Sequence, residues 1–311
     1  MTPIDRDHPR PPHLRAPLYR GMDQATLDRQ YNARASVPCY ETEHQAYVRE
    51  SERVQQAFPD RETVVYDEDS GEQLDLYGAA PGRPVFLWIH GGYWRAGSRH
   101  DNAFAAGGLV PRGVAVAVMD YSLAPAARIG EIVRQVCAAV AWLGHHGGAR
   151  GLRTDRIHVG GSSAGGHLVG MLQADGWPSD FGLSQHPIGA ALALSGLYDL
   201  EPLQHTHIND WMRFTPEDIA QNSPERLIPA RSSVQLVASV GGLETDEFRR
   251  QTASYAQHWR RAGHALQCVD MPDHNHFSIA RSLSQPNGAL VESVLQAIAA
   301  TAGPALTGTP A

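Results

Sequence analysis

The chain has 311 residues, 42% of them hydrophobic, and a formal net charge of -7 from 26 basic and 33 acidic side chains. This length is enough to bury about three quarters of the unfolded surface in one α/β domain. The sequence contains no lysine and no basic block, which excludes Schiff-base chemistry and the lysine-containing phosphate loop, and argues against nucleic acid as a partner.

The first part of the chain indicates a leader followed by helices. Residues 1–20 are rich in Pro, Arg, Asp and His and lack the apolar segment of a secretory signal, so we expect a flexible leader. Residues 22–58 are interpreted as two helical pieces interrupted near Pro38. Strands are then predicted near residues 64–66 and 74–76.

A buried strand predicted at residues 85–89 runs into a glycine turn. The turn at residues 90–94 has the sequence HGGYW. Backbone N–H groups without obstructing side chains can stabilise the anion that a carbonyl oxygen becomes during acyl transfer. We therefore expect Gly91 and Gly92 to contribute to an oxyanion hole. The alternative is an ordinary glycine-rich connection after a strand.

The most informative motif is a G-x-S-x-G pentapeptide at residues 161–165, directly after the β-branched run at residues 157–159. Such a pentapeptide forms a sharp strand-to-helix turn that exposes a nucleophilic serine at the end of a sheet. Ser163 is the predicted nucleophile; Ser162 is not, because no glycine pair brackets it in the same way. The N–H of Ala164, the residue after the nucleophile, is expected to complete the oxyanion hole.

The rest of the chain alternates strands with helices, which is typical of an α/β protein with a mostly parallel sheet covered on both faces. We expect one domain over residues 21–302, with a cap-like insertion at about 199–230 and a flexible tail at 303–311. Further strands are predicted at residues 114–119, 190–194, 234–240 and 266–270, and helices at residues 129–143 and from the glycine motif to about 174.

A serine hydroxyl needs a base, and the base needs an orienting carboxylate, usually in the chain order serine, acid, histidine. Two acids follow the strand predicted at residues 234–240. Asp246 falls in the first turn of a helix that is predicted to begin after Thr245, where the helix dipole favours an acidic residue. Glu244 has no such structural explanation. It is therefore the favoured acid, and Asp246 is the alternative.

Two histidines, His274 and His276, compete for the role of base in the loop after the last predicted strand. His276 is favoured, because it lies nearer the following helix and Phe277 beside it can pin the loop to the core. The histidine pairs at 145–146 and 205–207 suggest a metal site. No cluster of thiolates or carboxylates completes a zinc set around them, so no metal is predicted.

These motifs resemble those of the α/β-hydrolase superfamily, and within it the kynurenine formamidase (arylformamidase) group. The resemblance implies the α/β-hydrolase fold, in which helices flank a mostly parallel central sheet with a small cap insertion. In that group the acid is often an aspartate at the position of Glu244. The resemblance rests on HGGxW at residues 90–94, the stretches at 120–125, 194–200 and 244–251, Ser163 in its glycine motif, and the final His276 and Phe277.

The resemblance also implies a serine hydrolase that cleaves an aryl formamide such as N-formylkynurenine to formate and the free arylamine through an acyl-serine intermediate. Tyr93, Trp94, Tyr198 and Trp211 are candidate walls for the aromatic part, although aromatic side chains are also buried for packing alone. Two other functions stay open. One is a carboxylesterase that acts on small acyl esters with the same catalytic residues, and the other is a ligand-binding protein without turnover.

The expected partner is a small aryl amide or ester, with no cofactor, no nucleic acid and no membrane, while a homodimer stays open. The three cysteines, Cys39, Cys137 and Cys268, are widely spaced and odd in number. They do not suit a disulfide framework and favour a reducing compartment. No apolar run reaches the roughly 18 residues of a membrane span. We therefore expect a cytoplasmic protein.

Overall fold

Eight strands form one sheet in the part of the chain that the structure, a computed structural model, describes, residues 17–301. Their order across the sheet is β1-β2-β4-β3-β5-β6-β7-β8. The strands are β1 Glu62–Asp67, β2 Glu72–Tyr77, β3 Pro84–Ile89, β4 Ala115–Met119, β5 Arg153–Ser162, β6 Ile188–Leu194, β7 Gln235–Gly241 and β8 Leu266–Met271.

Most of the sheet is parallel. β1 pairs with β2, and β2 with β4, in antiparallel fashion, and every other neighbouring pair is parallel. The side chains of β3 alternate between two cores, so that Leu87 packs on one face of the sheet and Trp88 on the other. Strands buried on both faces read as continuous apolar runs, which is why β3 and β4 could be predicted.

Helices cover both faces. Side chains of α4, α5 and α9 pack in the core that contains Leu87, and those of α3 and α11 pack in the core that contains Trp88. The helices are α1 Gln24–Gln30, α2 Tyr40–Ala57, α3 Phe104–Leu109, α4 Ile129–His146, α5 Ala164–Met171, α6 Trp177–Asp180, α7 Asn209–Met212, α8 Pro216–Gln221, α9 Asp246–Arg261, α10 Ser278–Arg281 and α11 Ala289–Thr301. Short 3-10 helices lie at Arg34–Ser36, Val110–Arg112, Gly148–Arg150, Glu201–His205, Pro224–Arg226 and Ser282–Ser284.

The predicted α/β fold class and the seven predicted strands are confirmed, and the β-branched run at residues 157–159 lies in the eighth strand, β5. The helix after the glycine motif ends at Met171 rather than near Ala174. At the start of the described chain, the Tyr19 hydroxyl donates to Asp199 Oδ2 at 2.8 Å, so residue 19 is bonded to the domain rather than part of a free leader. Residues 1–16 of the predicted leader and the whole predicted tail lie outside the described residues.

The segment predicted as a cap insertion, residues 199–230, contains α7, α8 and two 3-10 helices. A capping box in which the Thr215 side chain and Asp218 bond each other's backbone N–H fixes the start of α8. Within residues 17–301, no helix has both the length and the apolar character needed to cross a membrane.

Candidate active site

The glycine motif after β5 forms a sharp turn from strand to helix. Ser163 has φ 60° and ψ -118°, and α5 begins at the next residue. A Cβ atom at Gly165 would lie 2.0 Å from the Ile89 carbonyl oxygen, and one at Gly161 would lie 2.5 Å from the Gly165 backbone. Only glycine fits at either position. The turn can therefore press against β3 while it holds Ser163 in a strained conformation.

The HGG turn after β3 packs directly on this elbow. A Cβ at Gly91 would lie 3.2 Å from Ser163 Cβ and 2.9 Å from the Ser162 carbonyl oxygen. His90 Nδ1 bonds the Gly91 carbonyl oxygen at 2.8 Å, and the Tyr121 hydroxyl donates to the His90 carbonyl at 3.0 Å. Burial lowers the pKa of His90, and a bond to a carbonyl oxygen requires that Nδ1 carries a proton. These bonds hold the turn in place beside Ser163.

Glu244 and His276 form a buried pair. Glu244 lies in the loop after β7 and His276 in the loop after β8, and Glu244 Oε2 is 2.6 Å from His276 Nδ1. The other carboxylate oxygen, Oε1, accepts from Ser195 Oγ at 2.6 Å and from the Gly241 N–H at 2.7 Å. The side chains of Glu244 and His276 are 0% and 5% exposed. A carboxylate held in this way can orient an imidazole and stabilise its charged form.

The alternative acid and the alternative base lie elsewhere. The Asp246 side chain is 76% exposed in the first turn of α9, where it pairs with Arg249. His274 bonds the Leu243 N–H through its backbone carbonyl at 3.1 Å. The structure therefore brings Glu244, and not Asp246, to the ring of His276.

A cavity of about 810 Å³ joins the elements of the site. Ser163, His276, Gly91 and Gly92 all line it. Within residues 17–301 the structure contains no hydrogen bond between Ser163 Oγ and the His276 ring, which is consistent with the long catalytic hydrogen bonds often found without substrate. The arrangement brings a strained serine, a carboxylate-bound imidazole and a glycine turn to one solvent-accessible space.

Two of the four aromatic side chains predicted as pocket walls line this cavity, namely Tyr93 and Trp211. Trp94 and Tyr198 do not, and that part of the prediction is wrong. Trp94 is 0% exposed and packs edge-on against His167, with ring centroids 5.0 Å apart. Tyr198 is also 0% exposed and stacks on Tyr255 at 4.2 Å. Both belong to the core.

One wall of the cavity comes from the beginning of the described chain and was not predicted from the sequence. Tyr40, His44 and Tyr47 lie at i, i+4 and i+7 of α2, on one face of the helix, and all three line the cavity. Tyr31, at the end of α1, also lines it. The helical spacing is visible in the sequence, but nothing in the sequence indicates that this face meets a site built from much later residues.

The same helix holds the loop that carries His276. The Tyr47 hydroxyl donates to the Phe277 carbonyl at 3.0 Å, and Asn275 Nδ2 donates to Glu43 Oε1 at 2.7 Å. Residues on both sides of His276 are thus bonded to α2. We call this set of contacts the α2 clasp.

Two arginines also line the cavity. The Arg34 guanidinium carbon lies 4.4 Å from the ring centroid of Tyr40, and that of Arg95 lies 4.7 Å from the ring centroid of Trp211. Among the described residues neither arginine has an acidic partner within salt-bridge distance. A guanidinium that stacks through its face keeps its N–H edge available for an anion.

The histidine pairs that suggested metal binding have other contacts. His145 Nε2 bonds the Phe181 carbonyl at 3.0 Å, and His207 Nδ1 lies 2.9 Å from Asp28 Oδ1. In the part of the chain that the structure describes, no group of three or more His, Cys, Asp or Glu side chains is placed to hold a metal ion.

Known proteins resemble this chain in sequence and in fold. A family model described as BD-FAE matches residues 74–224. A kynurenine formamidase from Danio rerio is 30% identical over 76% of this chain and 80% of its own length. The crystal structure of a candidate thioesterase from Silicibacter sp. TM1040 is 26% identical, with a TM-score of 0.76 over 86% of this chain and 98% of that one.

A thermophilic carboxylesterase cloned from a metagenomic library shares the fold, with a TM-score of 0.68 and 18% identity over 85% of this chain and 97% of that one. These similarities agree with the eight-stranded, mostly parallel sheet and with a serine held at a strand-to-helix elbow. The chain is an α/β-hydrolase enzyme and belongs to the kynurenine formamidase family.

Proposed function

We propose that this enzyme hydrolyses aryl formamides, with N-formylkynurenine as the model substrate, to formate and the free arylamine. The observation that supports the proposal is a cavity lined by Ser163, by His276 and by aromatic rings such as Tyr93 and Trp211. A pocket of this size, about 810 Å³, is within the usual range for small-molecule sites. Its rings suit a planar leaving group.

The reaction proceeds by two acyl transfers. Ser163 attacks the formyl carbon while His276 takes the hydroxyl proton, and His276 then gives that proton to the departing arylamine nitrogen. Water attacks the resulting formyl-serine with His276 again as base, which releases formate and restores the serine. Glu244 keeps the imidazole in the tautomer that can accept the proton at Nε2, because its carboxylate lies at Nδ1.

The carbonyl oxygen becomes an anion in both steps. The N–H groups of Gly91 and Gly92 in the HGG turn, and that of Ala164 at the first position of α5, are proposed to stabilise it. Two observations support this role. The turn packs on Ser163, and the start of a helix carries unpaired N–H groups and a positive partial charge.

The part of the cavity beyond the reacting serine suits a charged aromatic leaving group. Aromatic rings can stack on the aryl part, and the N–H edges of Arg34 and Arg95 can meet a carboxylate, which N-formylkynurenine carries on its amino acid side chain. The family relationship supports the same substrate class, because the related protein from Danio rerio is named a kynurenine formamidase.

The experiment that tests this proposal compares acyl groups on one aryl amine. The carbonyl carbon of a formyl group carries only hydrogen, so a pocket shaped for it should reject larger acyl groups by steric clash. Such a clash can cost more than the roughly 1–3 kcal/mol by which one extra or missing methylene changes binding. We expect kcat/KM for formyl anilides to exceed that for butyryl anilides by more than about tenfold. N-formylkynurenine and a short p-nitrophenyl ester are measured beside them, with Ser163→Ala as the blank.

Equal or rising activity with longer acyl chains would identify a carboxylesterase instead. That second function would use the same Ser163, Glu244 and His276, so the comparison separates substrate classes and leaves the catalytic residues untouched.

A further inference from the structure

We propose that Ser195 is a positioning residue for the hydrolysis, whose hydroxyl fixes one oxygen of Glu244 so that the other faces His276. The inference rests on the proposed function, because it assigns a role to Ser195 within the catalytic group proposed above. Ser195 does not line the cavity, so it acts through Glu244 rather than by contact with substrate.

The two oxygens of Glu244 have separate partners. Oε2 lies at His276 Nδ1, while Oε1 accepts from the Ser195 hydroxyl at 2.6 Å and from the Gly241 N–H at 2.7 Å. A carboxylate bonded at one oxygen alone can rotate about its last carbon–carbon bond. Donors at Oε1 prevent that rotation and leave Oε2 directed at the imidazole. Hydrogen bonds to a charged acceptor are stronger than those between neutral groups.

The backbone at Ser195 is held in an unfavourable conformation. Ser195 follows β6 directly and has φ 46°, a region that suits glycine and is costly for other residues. Its N–H nevertheless donates to the Ser239 carbonyl at 2.9 Å, which extends the bonding between β6 and β7. Glycine at this position would relieve the strain, but it would remove the hydroxyl. Among the described residues, the non-glycine residues with positive φ are Arg20, Tyr93, Trp94, Ser163, Ser195 and Arg213.

Ser195 is completely buried, with 0% exposure. Its only side-chain bond among the described residues is the one to Glu244. The hydroxyl is therefore directed at the carboxylate and makes no other hydrogen bond within residues 17–301. A persistent backbone outlier of this kind, next to a reacting group, indicates a function that depends on the residue in that place.

The test compares Ser195→Ala with Ser195→Gly in the full chain. Both variants lose the hydroxyl, and only glycine also relieves the backbone strain. We expect kcat for N-formylkynurenine to fall in both by between about tenfold and about a hundredfold, as expected for losing a hydrogen bond to a charged group. The two losses should agree to within about twofold, although the melting temperatures differ. KM should stay unchanged, because Ser195 lies outside the cavity.

A second measurement places Ser195→Ala in a Glu244→Ala background, where no carboxylate remains to be held. We expect the effect of Ser195→Ala on kcat to vanish there. The inference is overturned if the effect persists in that background, if Ser195→Gly restores wild-type kcat, or if Ser195→Ala leaves kcat unchanged.

The proposed function fails separately. A Ser163→Ala enzyme that still turns over substrate would overturn the proposed nucleophile, whatever Ser195 does. A fully active Glu244→Ala enzyme would overturn both the proposed acid and the inference about Ser195.

Discussion

Ser162 and Ser163 are neighbours in the chain, but their backbones differ. Ser162 is the last residue of β5, in extended conformation, whereas Ser163 is held at φ 60° between the strand and α5. Both side chains line the cavity. The glycines at 161 and 165 let the chain turn at Ser163, so only this serine lies at the apex of the elbow.

The first prediction separates these two serines. Ser163→Ala should lower kcat by at least about 10⁴-fold, as loss of a serine nucleophile does elsewhere. Ser162→Ala should stay within about threefold of wild type, because the Ser162 hydroxyl makes no hydrogen bond within residues 17–301. Steady-state kinetics with N-formylkynurenine, together with circular dichroism as a check on folding, provide the measurement. An active Ser163→Ala enzyme together with an inactive Ser162→Ala enzyme would show that the nucleophile is Ser162 and not Ser163.

The second prediction concerns the acid. Glu244→Gln should lower kcat by up to about 10⁴-fold, because an amide does not stabilise the charged imidazole and favours the wrong tautomer. Asp246→Asn is the matched control, since Asp246 is exposed and pairs only with Arg249 among the described residues. We expect the control to retain near-wild-type kcat in the same assay. If Asp246→Asn were the more damaging change, the acid would lie two residues later than proposed.

At the level of elements, the site joins parts of the chain that are far apart in sequence. The proposed nucleophile follows β5, the proposed acid follows β7 and the proposed base follows β8, while α2 supplies a wall of the cavity. The carboxyl ends of neighbouring parallel strands lie at one edge of a sheet. The loops after these strands therefore meet, and α2 covers them from outside the sheet.

The third prediction tests which aromatic side chains belong to the cavity. Trp211→Ala should raise KM for N-formylkynurenine by about tenfold, because it removes an aromatic wall. Tyr198→Phe is the control, since it removes a hydroxyl that is buried in the core and does not line the cavity. Its KM should equal that of wild type. If KM rose in the Tyr198 variant and stayed unchanged in the Trp211 variant, the aryl group would bind near Tyr198 and not near Trp211.

The local parts of this architecture could be predicted from sequence. Each strand is an apolar or β-branched run, and the HGG and G-x-S-x-G motifs follow such runs directly, so their position at strand ends needed no tertiary information. The placement of neighbouring aromatics could not be predicted in this way. Tyr93 and Trp94 are adjacent and both have positive φ, yet one lines the cavity and the other packs in the core.

Contacts between elements that are distant in the sequence could not be predicted either. The α2 face at Tyr40 and Tyr47 precedes every strand, and it is held at the site by contacts with much later residues, such as the bond from Tyr47 to the loop after β8. Ser195 follows a buried strand and has no sequence feature that marks it as a partner of Glu244. In both cases the sheet order, which the sequence does not state, decides which residues meet.

On the scale of the whole molecule, buried histidines connect stability to pH. Burial lowers the pKa of His90, His158, His167 and His186, and the pKa values of His158 and His167 fall from 6.5 to about 4. His158 Nδ1 accepts from the Ala190 N–H at 3.1 Å, which requires the unprotonated nitrogen. The unfolded chain therefore binds more protons than the folded one between about pH 4 and 6.5.

The fourth prediction follows from the sign of these shifts. The free energy of unfolding should be constant with respect to these groups above pH 6.5. It should fall as the pH is lowered toward 4, by up to about 3 kcal/mol for each histidine whose pKa is shifted to about 4. Carboxylates such as Asp67, whose pKa the Arg134 hydrogen bonds hold below its usual 3.8, act at lower pH. Urea unfolding at a series of pH values measures the dependence.

The control for this prediction is His158→Asn, because an asparagine Oδ1 can replace Nδ1 as acceptor for the Ala190 N–H but does not titrate. The free energy of unfolding of this variant should fall less steeply than that of the wild type between pH 6.5 and 4.5. The two slopes should differ by up to about 1.4 kcal/mol per pH unit. An unchanged slope would show that His158 is not one of the groups responsible.

The α2 clasp bonds the loop that carries His276 to a helix with few buried residues. Of the 18 residues of α2, three are buried, namely Ala46, Ser51 and Val54. Elements with few buried contacts open at lower free energy than the core.

As the urea concentration rises, we expect enzyme activity to disappear before the sheet unfolds, as measured by far-UV circular dichroism. Glu43→Ala, which cuts the bond to Asn275, should widen the gap between the two midpoints, whereas Glu52→Ala on the same helix should not. If the midpoints of activity loss and of sheet unfolding coincide in every variant, α2 and the sheet unfold together. If they differ, this enzyme loses activity when one helix detaches, while the rest of the fold persists.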